Sequence, residues 1–300
     1  MLGSLLTVLL CAASAGPQAP GVRAIPLPGH AVAFETGGEE VARYRYDGAD
    51  VNPCIFPFIG PAGHRVTRMS HPRDPHGHGH HRSIWVAHTD VDGVDFWTND
   101  GPGRVIHDRL VSMEDGDRAA SMTVQLRWQG PEGADILREK RTLTVGERAD
   151  GTGRYVDLAL VFTPAGGAPV TLGKTNFGFL GVRVAKPMSV EFGDGRIVNS
   201  EGAQQEAETF GKPARWVAYA GSAAPGVWQG VAVFDHPDNP GHPVAWHVRD
   251  DGWVGPSFCR HKAHTIEPGE NLPLRYRVYT FGGGITQEDI AAFWQAFAAE

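Results

Sequence analysis

The chain is poor in cysteine, in clustered basic residues and in long apolar runs. Only three of its 300 residues are cysteine: Cys11, Cys54 and Cys259. None lies in a C-x-x-C, so thiolate metal knuckles and a disulfide framework are excluded as organising devices. Cys54 and Cys259 allow one disulfide at most and read better as packing residues. Lys and Arg number 27 against 34 Asp and Glu, a net charge of -7, with no basic block. Nucleic acid is therefore excluded as a partner, because phosphate binding rests on clustered Lys and Arg. Beyond residue 15 no segment approaches the ~20 apolar residues needed to cross a bilayer. Walker A, G-x-G-x-x-G, G-x-S-x-G and H-E-x-x-H motifs are also missing, which argues against nucleotide cofactors and α/β-hydrolase chemistry.

What is present is glycine, proline and a period of two. The 39 Gly, 22 Pro and 41% hydrophobic residues describe a turn-rich β protein with enough apolar mass for a core. Residues 1–15, MLGSLLTVLLCAASA, form an apolar run ending in a small-x-small site. That pattern predicts a signal peptide cut after Ala15, and export to the periplasm or beyond. Ser121–Trp128, Tyr155–Phe162 and Leu274–Phe281 each alternate apolar and polar side chains, as half-buried antiparallel strands do. Helix is expected only at the C-terminus. There Thr286 can cap a segment whose Ile290, Phe293, Trp294 and Phe297 form one apolar stripe. No linker divides residues 16–300. The expectation is an all-β fold, a single large antiparallel β-sandwich with one C-terminal α-helix.

Six of the fourteen histidines fall between His71 and His88, densest in His76-Gly77-His78-Gly79-His80-His81-Arg82. Imidazole titrates near neutrality and is the commonest metal ligand, so the crowding marks a candidate site. His78 and His80, as an H-x-H pair on an extended strand, would point the same way and offer two ligands to a divalent metal. Zn, Ca, Mn and Fe all remain open. His247, from a second cluster after the Pro-rich stretch 237–243, is the expected third ligand. His81 and His88 are the candidates for proton transfer, with Asp95 assisting. Asp90-Val91-Asp92-Gly93 reads as a turn. Arg82, Trp97, Lys174, Asn176, Arg183, Trp246 and Arg249 are the candidates to line a binding site for hydroxyl-rich or carboxylate-bearing ligands.

The segments HGHHRSIWVAHTDVDGVDFW, GFLGVRVA, IVNSEG, RWVAYAG, FDHPDNPGHPVAWHVRD and PGENLPLRYRVYTFGG, in that order, resemble an exported bacterial family labelled methane oxygenase PmoA-like. Gly77 stands where that family usually carries an acidic residue, and Asp251 through Ser257 depart from its usual pattern. The resemblance implies a β-sandwich similar to galactose-mutarotase-like (supersandwich) and polysaccharide-lyase domains. It further implies a setting of sugar metabolism. On that basis the leading expectation is a carbohydrate-active enzyme that cleaves or isomerises a glycoside, keto-glycosides included, by metal-assisted acid–base chemistry. The alternatives are a non-catalytic glycan-binding module and an oxygen-activating metalloenzyme. A sugar or oligosaccharide is the expected partner, and the sequence leaves the oligomeric state open.

Overall fold

The computed structural model describes residues 21–47, 52–71, 73–283 and 286–300. The expected signal peptide and its cleavage point lie outside the described residues. Two eight-stranded sheets dominate, and every strand pairing within them is antiparallel. The first sheet runs, edge to edge, Val22–Leu27, Ala31–Thr36, Glu39–Arg45, Cys54–Phe58, Ile84–Ala87, Phe179–Arg183, Trp253–Pro256 and Trp246–Val248. The second runs Arg196–Asn199, Trp216–Ala224, Val227–Asp235, Leu272–Gly282, Gly153–Pro164, Asp135–Glu147, Ala119–Gln129 and Arg104–Glu114. A small third pairing joins Val170–Leu172 to His264–Ile266.

The alternating runs form the expected strands, because a pleated strand sends successive side chains to opposite faces. Met122, Val124, Leu126 and Trp128 are buried, as are Val156, Leu158, Leu160 and Phe162. Leu274, Tyr276 and Val278 join them in the core between the sheets. The opposite face of the second sheet presents Trp216, Phe234, Tyr279 and Phe281, and the helix Gln287–Ala298 covers it with Ile290 and Phe297. Thr286 caps that helix as expected: its Oγ1 accepts from the Asp289 amide at 3.1 Å, and Asp289 accepts from the Thr286 amide. A second, five-residue helix, Gln205–Thr209, was not anticipated. Cys54 and Cys259 are both buried and form no disulfide. Among the described residues, no helix is long and apolar enough to cross a membrane.

Parity in the first sheet positions the site. Ile84 and Val86 point into the core, so Trp85 and Ala87 point to the other face, where they pack with Cys54, Trp97 and Trp253. Gly181 lies opposite Trp85, and a Cβ there would come within 2.5 Å of the indole, so the absent side chain lets the ring lie across its neighbour. Arg183 pairs with Trp253, and His247 with Gly255. One face of three adjacent strands thus presents Arg183, Trp253 and His247 together, with Trp85 on the next strand.

Candidate functional site

The histidine-rich segment is a loop, not a strand, and it folds over this outer face. His76 through His80 lie in turns, and only Ile84–Ala87 pairs as strand. Ser83 has φ = 55°, a left-handed kink that separates the loop's orientation from the strand's alternation. The extended H-x-H expectation is therefore corrected. The His78 and His80 ring planes cross at 87° with centroids 6.1 Å apart, because two glycines turn the chain there.

The loop and the sheet meet in one charge-linked cluster. His78 Nδ1 contacts Asp251 Oδ2 at 2.9 Å. Asp251 Oδ1 lies 2.6 Å from Arg183, whose side chain is fully buried. Arg183 also reaches Asp74 at 3.4 Å, and Asp74 accepts the backbone amides of His76 and His78. Burial by itself would raise the Asp251 pKa, but the hydrogen bond from His78 and the Arg183 guanidinium hold it far below the usual carboxylate range. An ionised carboxylate only accepts, so Nδ1 of His78 carries the proton. Nε2 meets no hydrogen-bond partner among the described residues.

Aromatic rings surround this pair. His81 stacks beneath His78 with centroids 4.3 Å apart and planes at 16°, and touches Trp253 at 4.4 Å and Trp85 at 5.0 Å. His247 lies against Trp253 at 3.8 Å and meets Phe177 at 5.6 Å. His80 is half-buried, and burial next to His78 pushes its pKa down to about 4. Burial and the nearby Arg249 and Arg260 push His247 down to about 3. Both are neutral imidazoles at pH 7. Phe177 is half-buried, while Lys174 and Asn176 are exposed on the same segment.

The structure brings His78, His80, His81, Trp97, Arg183 and His247 into this cluster, leaves Lys174 and Asn176 exposed on the adjoining Phe177 segment, and gives His88, Asp95, Trp246, Arg249 and Arg82 other partners. His81 is not placed for proton transfer. It is completely buried, neither ring nitrogen meets a partner, and desolvation drives its pKa far down. His88 follows the parity of Val86 into the core, where Nε2 donates to the Gly173 carbonyl at 2.9 Å and the ring stacks on Phe179. Asp95 serves the backbone, accepting from the Trp97 and Thr98 amides. Asp92 sits in the expected turn with φ = 50°, and its carboxylate accepts from the Thr171 amide of a neighbouring strand. Trp246, one residue out of phase with His247, is buried and donates to the Ala214 carbonyl at 2.8 Å. Arg249 pairs with Glu206 at 3.2 Å. Arg82 is largely buried and binds Asn99, which reaches back to the Gly79 carbonyl.

The expected metal set of His78, His80 and His247 is not assembled. Among the described residues, no group of three or more His, Cys, Asp or Glu side chains is arranged to hold a metal ion. His247 is packed edge and face among aromatic rings. Sequence reasoning missed Asp251, Asp74, Trp253 and Phe177. Asp251 and Trp253 flank Gly252, whose φ of 91° makes the turn that brings the carboxylate back over the sheet. An Asp-Gly-Trp run just after a histidine-bearing strand was the available signal.

The fold and cluster define an all-β, two-sheet protein with a histidine–aspartate pair on the outer face of one sheet. Residues 31–295 match the model of a family of unknown function, DUF6807, and the chain belongs to that family. The matched family bears no methane-oxygenase name. No curated protein matches the sequence. Among solved structures, the chain is similar to a GH36 α-galactosidase AgaA variant from Geobacillus stearothermophilus bound to 1-deoxygalactonojirimycin. That match has TM-score 0.42 and 11% identity, over 85% of this chain and 40% of the other. AgaB of the same organism gives 0.42 and 13%, over 87% and 41%. A galactose mutarotase related enzyme from Lactobacillus acidophilus gives 0.36 and 9%, over 88% and 98%. The chain thus spans about two fifths of the galactosidases it resembles. These likenesses do not carry the functional reading, which rests on the residues of the site.

Proposed function

We propose that this protein is an exported carbohydrate-active enzyme that moves a proton on a sugar, His78 acting as the base. The observation that carries the reading is the 2.9 Å pair between His78 Nδ1 and an ionised, buried Asp251. A carboxylate on one imidazole nitrogen fixes the ring's tautomer and stabilises the imidazolium that forms when the other nitrogen takes a proton. His80, held neutral at the loop surface, can donate or accept a hydrogen bond at the same face. Phe177 offers an apolar ring to a sugar face, and Lys174 and Asn176 offer donors to its hydroxyls. A keto-glycoside suits this set, because a carbon next to a carbonyl gives up its proton to a neutral imidazole.

Incubating the protein with a panel of keto-glycosides and parent glycosides, followed by product NMR, tests the reading. His78→Gln should lower turnover by about 10²-fold or more while the melting temperature stays close to wild type. Undiminished turnover would remove His78 as the base. Sugar binding with no turnover in wild type would instead make the site a non-catalytic glycan-binding surface, the reading that Phe177 and its polar flanks support without any proton transfer.

A further inference from the structure

A second surface adjoins the site through Asp74. Two hollows of about 410 and 660 Å³ lie side by side there, and Arg68 and Lys186 line both. Arg73 lines the smaller and Arg65 the larger. The single carboxylate among all the lining residues is Asp74, and it is already spent. It is almost wholly buried and sits between Arg68 at 3.5 Å and Arg183 at 3.4 Å, while holding the His76 and His78 amides. Among the described residues, Arg65, Arg73 and Lys186 meet no carboxylate. Lys186 lies over Phe192 at 4.6 Å and Arg65 over Phe56 at 5.4 Å. The neighbouring Glu191 is taken by His76 at 2.8 Å.

This is unexpected in a chain of net charge -7. Four cations around one groove, with one carboxylate that two guanidiniums share, leave a local positive field that draws in anions. One donor is already orphaned: Nε of Arg68 is buried and meets no acceptor. Burial and repulsion from Arg183 both press on the Arg68 charge, a cost that an incoming anion would relieve.

We infer that this groove, walled by Arg65, Arg68, Arg73 and Lys186, is a binding site for an oxyanion on a sugar chain. The anion is a uronate carboxylate or a sulfate ester. The link to sugar rests on the acid–base reading of His78, whereas anion binding as such does not. Arg68 supplies a fixed fork suited to either oxyanion, and Lys186 and Arg73 supply point charges at the rim. Because Asp74 is at once the groove's inner wall and the anchor of the His78 backbone, a chain seated in the groove would lie beside the proton-transfer pair.

Calorimetric titration of the full chain with an oligogalacturonate, a sulfated oligosaccharide, a neutral oligosaccharide of equal length and inorganic sulfate tests this. Acidic chains should bind roughly tenfold or more tightly than the neutral one, with the advantage shrinking as salt is raised. The carboxylate and sulfate arms decide which oxyanion is preferred. Arg73→Gln with Lys186→Gln leaves the buried Arg68–Asp74–Arg183 set intact and should abolish the preference without lowering the melting temperature. Equal binding of acidic and neutral chains, or a preference that survives in the double variant, overturns the inference. His78→Gln separates the two readings, since it should spare the anion preference while removing turnover.

Discussion

Among the described residues, two histidine–aspartate pairs are hydrogen-bonded side chain to side chain, nearly identical in length and opposite in surroundings. His242 Nδ1 meets Asp235 Oδ2 at 2.7 Å, and His78 Nδ1 meets Asp251 Oδ2 at 2.9 Å. At the first pair every neighbour closes a loop. Asn239 donates to Asp235 and to the Arg275 carbonyl and accepts the Arg275 amide. Trp294 donates to the Asp235 carbonyl and lies parallel to His242 at 5.9 Å, docking the C-terminal helix. At the second pair the neighbours are imidazoles and indoles, and a buried guanidinium holds the carboxylate ionised. The pair alone does not make a site; what surrounds it decides whether the imidazole locks a loop or faces a ligand.

The largest effect should come from Arg183. It shares Asp251 with His78 and Asp74 with Arg68, and it is the one fully buried guanidinium between the two carboxylates, so Arg183→Met leaves buried carboxylate charge under-compensated. Urea denaturation should show a loss of about 3–5 kcal/mol. A loss below about 1 kcal/mol would mean that water screens both carboxylates in the folded state.

Acid should come next. Burial pushes the pKa values of His80 and His88 down to about 4 and of His247 to about 3 in the folded chain. The unfolded chain binds those protons near pH 6.5, so it holds more protons than the folded one between about pH 6.5 and 4. Stability is therefore full above the unfolded value and falls as the pH drops through that window. His88 alone contributes on the order of 3 kcal/mol of it. Urea midpoints at pH 7 and 4.5 check the sign, and equal midpoints would contradict the buried neutral assignment.

Smaller effects separate the two pairs. His242→Gln should cost about 1–2 kcal/mol and leave any activity at His78 intact. His78→Gln should do the reverse. If His242→Gln also stopped turnover, the contrast between a lock and a base would fail. His81→Leu should change stability by less than about 1 kcal/mol, because neither imidazole nitrogen has a partner to lose.

Much of the fold was readable because alternation reports burial directly. Met122 through Trp128 and Val156 through Phe162 lie in the strands their spacing predicted, and Thr286 begins the helix it was expected to cap. That His78 and His247 lie near one another, on either side of Trp253, was also legible. Their roles were not. Alternation applied to His80 and His81 fails in a glycine-rich loop, and the kink at Ser83 hides where the strand begins. His88 and Trp246 looked like site residues by company, yet their parity sends them inward. Asp251 could not be matched to His78 from sequence, since 173 residues separate them and it takes the pairing of Phe179–Arg183 with both Ile84–Ala87 and Trp253–Pro256 to bring them together.

The central claim, that His78 backed by Asp251 takes a proton from a sugar carbon, is tested most directly by solvent exchange. Keto-glycosides incubated with the protein in deuterated water should gain deuterium at the carbon beside the carbonyl, read by proton NMR. The account predicts exchange or elimination with wild type, and a loss of about 10²-fold or more in both His78→Gln and Asp251→Asn. Exchange at the wild-type rate in either variant would contradict it.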